Sequence, residues 1–172
     1  MAGIPSIKSI YKAAVLFGFL IFSVPMLQAQ EHPPIPVEVE VRNSRFLNFG
    51  SFTGGQSGGT VTVDDLGTRT ATGEVFLLNL GDPPSSAIFD LKANPGTLIT
   101  ITTNGDYFLD GNNGGEVRLV IDSFSTGQTF ITTAVPPLMN EIFVGGTLHI
   151  GNETQSPPGY YTGSFSLTFN YE

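Results

Sequence analysis

The segment DYFLDGNNGGE, from Asp106 to Glu116, holds the densest set of metal-capable oxygens in the chain. Asp106, Asp110, Asn112 and Glu116 are the ligand types that calcium takes. Their spacing departs from the calcium loop found between two helices, so a solvated glycine turn is the competing reading. Asp64-Asp65 is a lesser acidic pair. A second segment, TGGQSGGTVTV (Thr53 to Val63), has the glycine content of a phosphate cradle. Such cradles need a following helix whose amides point at the anion, and the nucleotide type also needs a lysine after the last glycine. Here Thr60-Val61-Thr62-Val63 alternates like a strand, and Lys92 is the sole lysine beyond Lys12. The segment therefore reads as a flexible loop or an edge segment.

Other chemistry lacks material. The chain has 2 histidines, His32 and His149, and no cysteine, which leaves no zinc spacing. Neither histidine sits in a nucleophile-and-base signature. Carboxylates far apart in sequence could still meet in space, as in glycosidases. Lys92, the lysine available for a Lys–Asn crosslink, lies on the opposite side of its strand from Phe89, Leu91 and Ala93. The chain reads as non-enzymatic, with no catalytic residue, no metal and no cofactor expected.

The elements that must position these residues begin after a leader. Lys8 and Lys12 precede an uncharged apolar run, Ala13 to Val24, closed by Pro25 and Leu27-Gln28-Ala29. That is the layout of a cleaved secretory signal peptide over residues 1–30. A membrane anchor is the alternative, but the run is shorter than the ~20 residues of a spanning helix, so stable membrane insertion is not expected. The net charge is −8, and loss of Lys8 and Lys12 with the leader makes it about −10. Such a surface repels nucleic acid and anionic lipid, which excludes nucleic acid as a partner. Export without disulfides fits a bacterial protein better than a small animal secreted domain.

Residues 31–172 read as a single domain of strands. Apolar and polar residues alternate over Ile35–Arg42, Phe46–Phe52, Thr60–Asp64, Gly73–Leu80, Ala87–Ala93, Leu98–Thr102, Glu116–Asp122, Thr129–Thr133, Ile142–Ile150 and Gly163–Tyr171. Asn94-Pro95-Gly96 is a type II turn signal, and Pro83-Pro84 and Pro136-Pro137 mark longer crossings. The pattern predicts an all-β fold, an immunoglobulin-like β-sandwich, with a closed barrel as the alternative.

Both ends of this domain are alternating strands. Ile35, Val37, Val39 and Val41 share one face at the front, and Phe165, Leu167, Phe169 and Tyr171 share one at the back. Either strand left at a sheet edge is a template for another chain. The competing reading pairs each within its own molecule.

Gly159 is fourteenth from the C-terminus and Tyr171 is penultimate. This combination resembles the C-terminal signature of pilins assembled by the chaperone–usher route. Leu47-Asn48-Phe49-Gly50, Gly145-Gly146-Thr147-Leu148 and the last strand, within a pattern covering residues 36–172, resemble a secreted bacterial family, domain of unknown function 4402. That family is similar to spore-coat-U-like and fimbrial subunits. The resemblance implies a sandwich lacking one strand, filled by the N-terminal strand of the next subunit after a periplasmic chaperone has held the groove open. Ile35, Val37, Val39 and Val41 would then form the donated face. Gly159, Phe165, Leu167, Phe169 and Tyr171 would line the acceptor or chaperone edge. The partners implied are a second copy or a chaperone, joined by strand addition, in the periplasm or at the surface of a Gram-negative bacterium. Pilins of this class often carry a disulfide, and this chain has none. The alternative is a monomeric secreted sandwich that binds carbohydrate or another surface, with Tyr160 and Tyr161 as the stacking loop.

Overall fold

The computed structural model describes residues 37–41 and 45–171, and all the regular elements among them are β-strands. In chain order these are β1 (Glu38–Val41), β2 (Ser51–Val63), β3 (Arg69–Leu78), β4 (Ala87–Lys92), β5 (Leu98–Thr103), β6 (Tyr107–Gly111), β7 (Glu116–Phe124), β8 (Thr129–Ile131), β9 (Asn140–Ile150), β10 (Tyr161–Thr162) and β11 (Leu167–Tyr171). Alternating Val, Ile, Thr and Phe suit a pleated half-buried surface, and the glycines and prolines between them stop each run. The expected leader, residues 1–30, lies outside the described residues.

Two sheets form. The larger runs β1-β4-β9-β7-β6-β10, with β2 also paired to β9 and β3 to β2; the smaller runs β11-β5-β8. The pairings are antiparallel.

The larger sheet is organised around β9. One edge of β9 follows β7, from Arg118↔His149 to Phe124↔Val144. The other edge is divided, with Asn140–Val144 beside β4 and Gly146–Ile150 beside β2. The change of partner falls at Gly145-Gly146. A Cβ on Gly145 would stand 2.2 Å from the Val63 carbonyl oxygen, and one on Gly146 2.6 Å from that of Val120. Only a hydrogen atom fits where three backbones come this close.

The inner faces of the two sheets share one core. Val61, Val63, Leu91, Ile142 and Val144 of the larger sheet are fully buried with Ile99 of the smaller. Phe89 of β4 meets the rings of Phe165 and Phe169 at 6.0 and 6.1 Å between centroids.

The Leu47-Asn48-Phe49-Gly50 motif fastens the base of the β2–β3 ribbon. Asn48 and Ser85 exchange backbone hydrogen bonds of 2.8 and 2.9 Å, and the Gly50 amide donates to Asn48 Oδ1 at 2.9 Å. The Arg69 guanidinium then donates to the carbonyls of Phe49, Ser51 and Leu78 at 2.8–3.0 Å. Gly50 adopts φ 65°, and a Cβ there would sit 2.5 Å from Arg69 Nη1.

Three expectations need correction. The glycine-rich segment 53–59 is not a flexible loop: it is part of the 13-residue strand β2, an edge segment paired with β3 alone before Gly59, with a register shift between Gly54 and Gly59 that absorbs the extra glycines as a bulge. The run expected to be a strand from Phe46 starts pairing as one only at Ser51, because Asn48 is engaged in an isolated bridge. Residues 106–116, read as a solvated glycine turn, include strand β6 and the β6–β7 hairpin turn. Tyr107-Phe108-Leu109 concealed this strand, since Tyr107 and Leu109 pack on the core while Phe108 is exposed.

The crowding at Gly145 carries a prediction. Gly145→Ala should lower unfolding free energy by about 3 kcal/mol in urea titration. Gly54→Ala, whose added methyl would meet only the Ile150 Cγ2 at 3.6 Å, should change it by less than about 1 kcal/mol. Equal losses in both variants would contradict the steric account of the partner switch.

Candidate functional site

The apolar back-end strand becomes the outer strand of the smaller sheet. β11 pairs with β5 from Leu167↔Thr103 to Tyr171↔Ile99, and it ends the strand order, so its other edge meets no strand among the described residues. Phe165, Leu167 and Phe169 turn toward the core but are only half-buried. On the adjacent strand, Ile99 and Ile101 are 0% and 2% exposed. Tyr171 is 64% exposed. The half-burial follows from position, because an outer strand has a neighbour on one side to cover its side chains and β5 has two.

The start of β11 is held in place. The Tyr107 hydroxyl donates to the Ser166 carbonyl and accepts from the Asn104 amide at 3.1 Å, while its ring meets Phe165 at 6.0 Å. The Asn104 side chain adds a 3.3 Å bond to Ser166 Oγ.

The front strand lies close by in the other sheet. β1 pairs with β4 of its own chain, from Glu38↔Lys92 to Val41↔Phe89, and Lys92 forms a 3.1 Å ion pair with Glu38. Both partners are solvent-exposed, so this pair contributes at most about 1 kcal/mol. Val37 is half-buried against the core, Val39 and Val41 belong to the paired strand, and Ile35 lies outside the described residues. The two end strands converge on Phe89, which is the register partner of Val41 and the ring neighbour of Phe165 and Phe169. Sequence reasoning missed Phe89 and Tyr107 as the residues that organise this edge. Phe89 alternates correctly within Ala87–Ala93, but alternation does not say which opposing rings it will meet.

Gly159 lies apart from the β11 edge. A Cβ there would stand 2.5 Å from Asn112 Oδ1, which accepts the Tyr160 amide at 2.8 Å. Asn113 Nδ2 donates to the Pro158 carbonyl at 2.8 Å. The glycine is thus needed for a close approach of the 157–160 turn to the β6–β7 hairpin. Tyr160 is 82% exposed, whereas Tyr161 is half-buried and donates its hydroxyl to the Pro157 carbonyl at 2.5 Å. Burial pushes the Tyr161 hydroxyl above its ordinary pKa. The two tyrosines therefore do not form one stacking platform.

The four candidate calcium ligands are not brought together. Asp106 pairs with Arg118 at 2.8 Å, Asn112 is engaged with Tyr160, and only Asp110 and Glu116 are opposite each other across the hairpin. Among the described residues, no group of three or more His, Asp or Glu could hold a metal ion. His149 stands on β9 opposite Arg118 and Thr60, and His32 is outside the described residues.

The model of the family described as domain of unknown function (DUF4402) matches residues 39–171. No curated protein and no solved structure matches the chain.

The contrast between the tyrosines is measurable. Tyr161→Phe should cost about 1 kcal/mol by removing its hydrogen bond to Pro157. Tyr160→Ala should stay within about 0.5 kcal/mol. Chemical unfolding of the two variants checks the assignment, and the reverse order would refute it.

Proposed function

This chain belongs to the DUF4402 family, and we propose that it is a non-enzymatic structural subunit of a bacterial surface or periplasmic fibre, assembling by β-strand addition. The strand order is the observation that carries this reading. An immunoglobulin constant-type sandwich has sheets A-B-E-D and C-F-G. If β1, β4, β5, β7, β9 and β11 are A, B, C, D, E and F, the observed neighbours β1-β4-β9-β7 and β5-β11 follow that order. The β2–β3 ribbon is then an insertion between A and B. The position of G is the outer edge of β11, where Phe165, Leu167 and Phe169 are half-buried.

Strand addition there would combine main-chain hydrogen bonds with the burial of alternate side chains. Burying four aliphatic side chains is worth on the order of 6–12 kcal/mol before entropy, comparable to the ~5–15 kcal/mol net stability of a domain. Ile35, Val37, Val39 and Val41 of a second copy are the donor that the chain itself offers. Using them would exchange the four register pairs of β1 with β4 for pairs with a neighbour's β11. A periplasmic chaperone could hold the same edge before assembly.

The second reading is a monomeric secreted binding module. The pairing of β1 with β4 in its own chain favours it.

Electrophoresis of protein from its native host, in detergent with and without boiling, separates the two. A fibre subunit should give a ladder that collapses to one band on boiling, and Val37→Arg should abolish the ladder. A single monomer band under both conditions would overturn the fibre reading.

A further inference from the structure

We infer that the outer face of the larger sheet carries a binding site for a neutral oligosaccharide, separate from the β11 edge. Register sets one line of side chains across five strands. Phe108 of β6 is opposite Arg118 of β7, Arg118 opposite His149 of β9, His149 opposite Thr60 of β2, and Thr60 opposite Thr72 of β3. The residues flanking them, such as Tyr107, Leu109, Val117, Leu119, Leu148 and Val61, pack into the core. The five therefore stand on the other face. Four interstrand steps make this row ~19 Å long. Its β6 end opens into a pocket of about 530 Å³, lined by Phe108, Glu116, Arg118, His149, Gln155 and Ser156 with neighbouring glycines and Ile150.

The polar groups in the pocket have hydrogen-bonding capacity left over. Arg118 uses Nη1 on Asp106 at 2.8 Å, and its other N–H groups make no bond among the described residues. Gln155 Oε1 accepts the Asn152 amide, but its NH₂ group, the Glu116 carboxylate and the His149 ring are not bonded within the described residues. Beside them the Phe108 ring is 52% exposed.

A sugar ring matches this combination. Its C–H face packs on an aromatic ring, while its hydroxyls both donate and accept. Along the row, the Thr60 and Thr72 hydroxyls, 2.7 Å apart, extend polar contact well beyond the pocket, which suits an oligosaccharide better than a single sugar. Charge selects against acidic glycans, because Asp106 neutralises Arg118, Glu116 is anionic, and the chain carries a net −8. The site does not rest on the fibre reading, since it uses no residue of β1 or β11. In a fibre it would repeat along the polymer and bind by avidity.

The test is titration of the full chain with cello-, malto-, xylo-, manno- and chitohexaose, with a heparin-derived hexasaccharide as the anionic comparison. Affinity is read by calorimetry and the site by amide NMR shifts. At least one neutral hexasaccharide should bind, with shifts centred on Phe108, Arg118 and His149. Phe108→Ala and Arg118→Met should each weaken it by about tenfold, equal to ~1.4 kcal/mol, with unchanged far-UV circular dichroism. Thr72→Val should weaken the hexasaccharide and not the disaccharide of the same sugar titrated beside it, and Tyr160→Ala should have no effect. No binding by any neutral hexasaccharide, shifts centred elsewhere, or preference for the heparin fragment would overturn the proposal.

Discussion

A backbone edge can satisfy only one neighbour at a time, and in this protein β9 has to serve two along the same edge. Its first half pairs with β4 and its second with β2, and the opposite edge is taken by β7 from Val144 to His149. The arrangement works only if three backbones can crowd together at Gly145-Gly146, where any side chain would collide with a carbonyl. The rest of the larger sheet depends on that crossing. β4 brings β1 and the Phe89 ring, β2 brings the ribbon fastened by Arg69, and β7 brings the hairpin that carries Phe108 and Arg118.

The same edge logic governs the smaller sheet with a different result. β5 is central and its isoleucines are sealed, while β11 is outermost and its aromatics are half-covered. Packing across the sheets moderates this exposure. Phe165 touches both Phe89 and Tyr107, and Phe169 touches Phe89, so the outer strand is anchored through its rings as much as through its ladder with β5. An edge that is firmly held, apolar on its inner face and unpaired along its backbone among the described residues is a suitable template for an added strand. β1, the four-residue outer strand of the other sheet, flanks the same ring.

The outer surface follows another rule. Phe108, Arg118, His149, Thr60 and Thr72 alternate outward on β6, β7, β9, β2 and β3, polar apart from the one aromatic ring, and register lines them up across the sheet. The arginine of that row, Arg118, is neutralised by Asp106. Where the strand ends and the 151–156 loop meet, this face becomes concave, with polar atoms not used by the fold.

By itself the sequence determined the class of fold and most of its strands, because a period-2 pattern of β-branched and aromatic residues is a local property. Ala87–Lys92 and Leu167–Tyr171 lie within expected runs for that reason, and Leu98–Thr103 exceeds its expected run by one residue. Its composition also left little material for metal or nucleophilic chemistry. The local pattern failed where a residue's role depends on partners distant in the chain. Glycines 54–59 look like a loop until β3 pairs alongside them, and Tyr107-Phe108-Leu109 looks like a uniform apolar cluster until one face is covered. Only the tertiary structure decided that Asp106 answers to Arg118 in place of Asn112 and Glu116, and that Gly159 serves the 112–113 turn instead of the β11 edge. It alone aligned Phe108, Arg118, His149, Thr60 and Thr72, residues up to 89 positions apart in the chain. Alternation assigns a side chain to one of two faces, but cross-strand register, set by long-range pairing and by bulges, decides which side chains stand together.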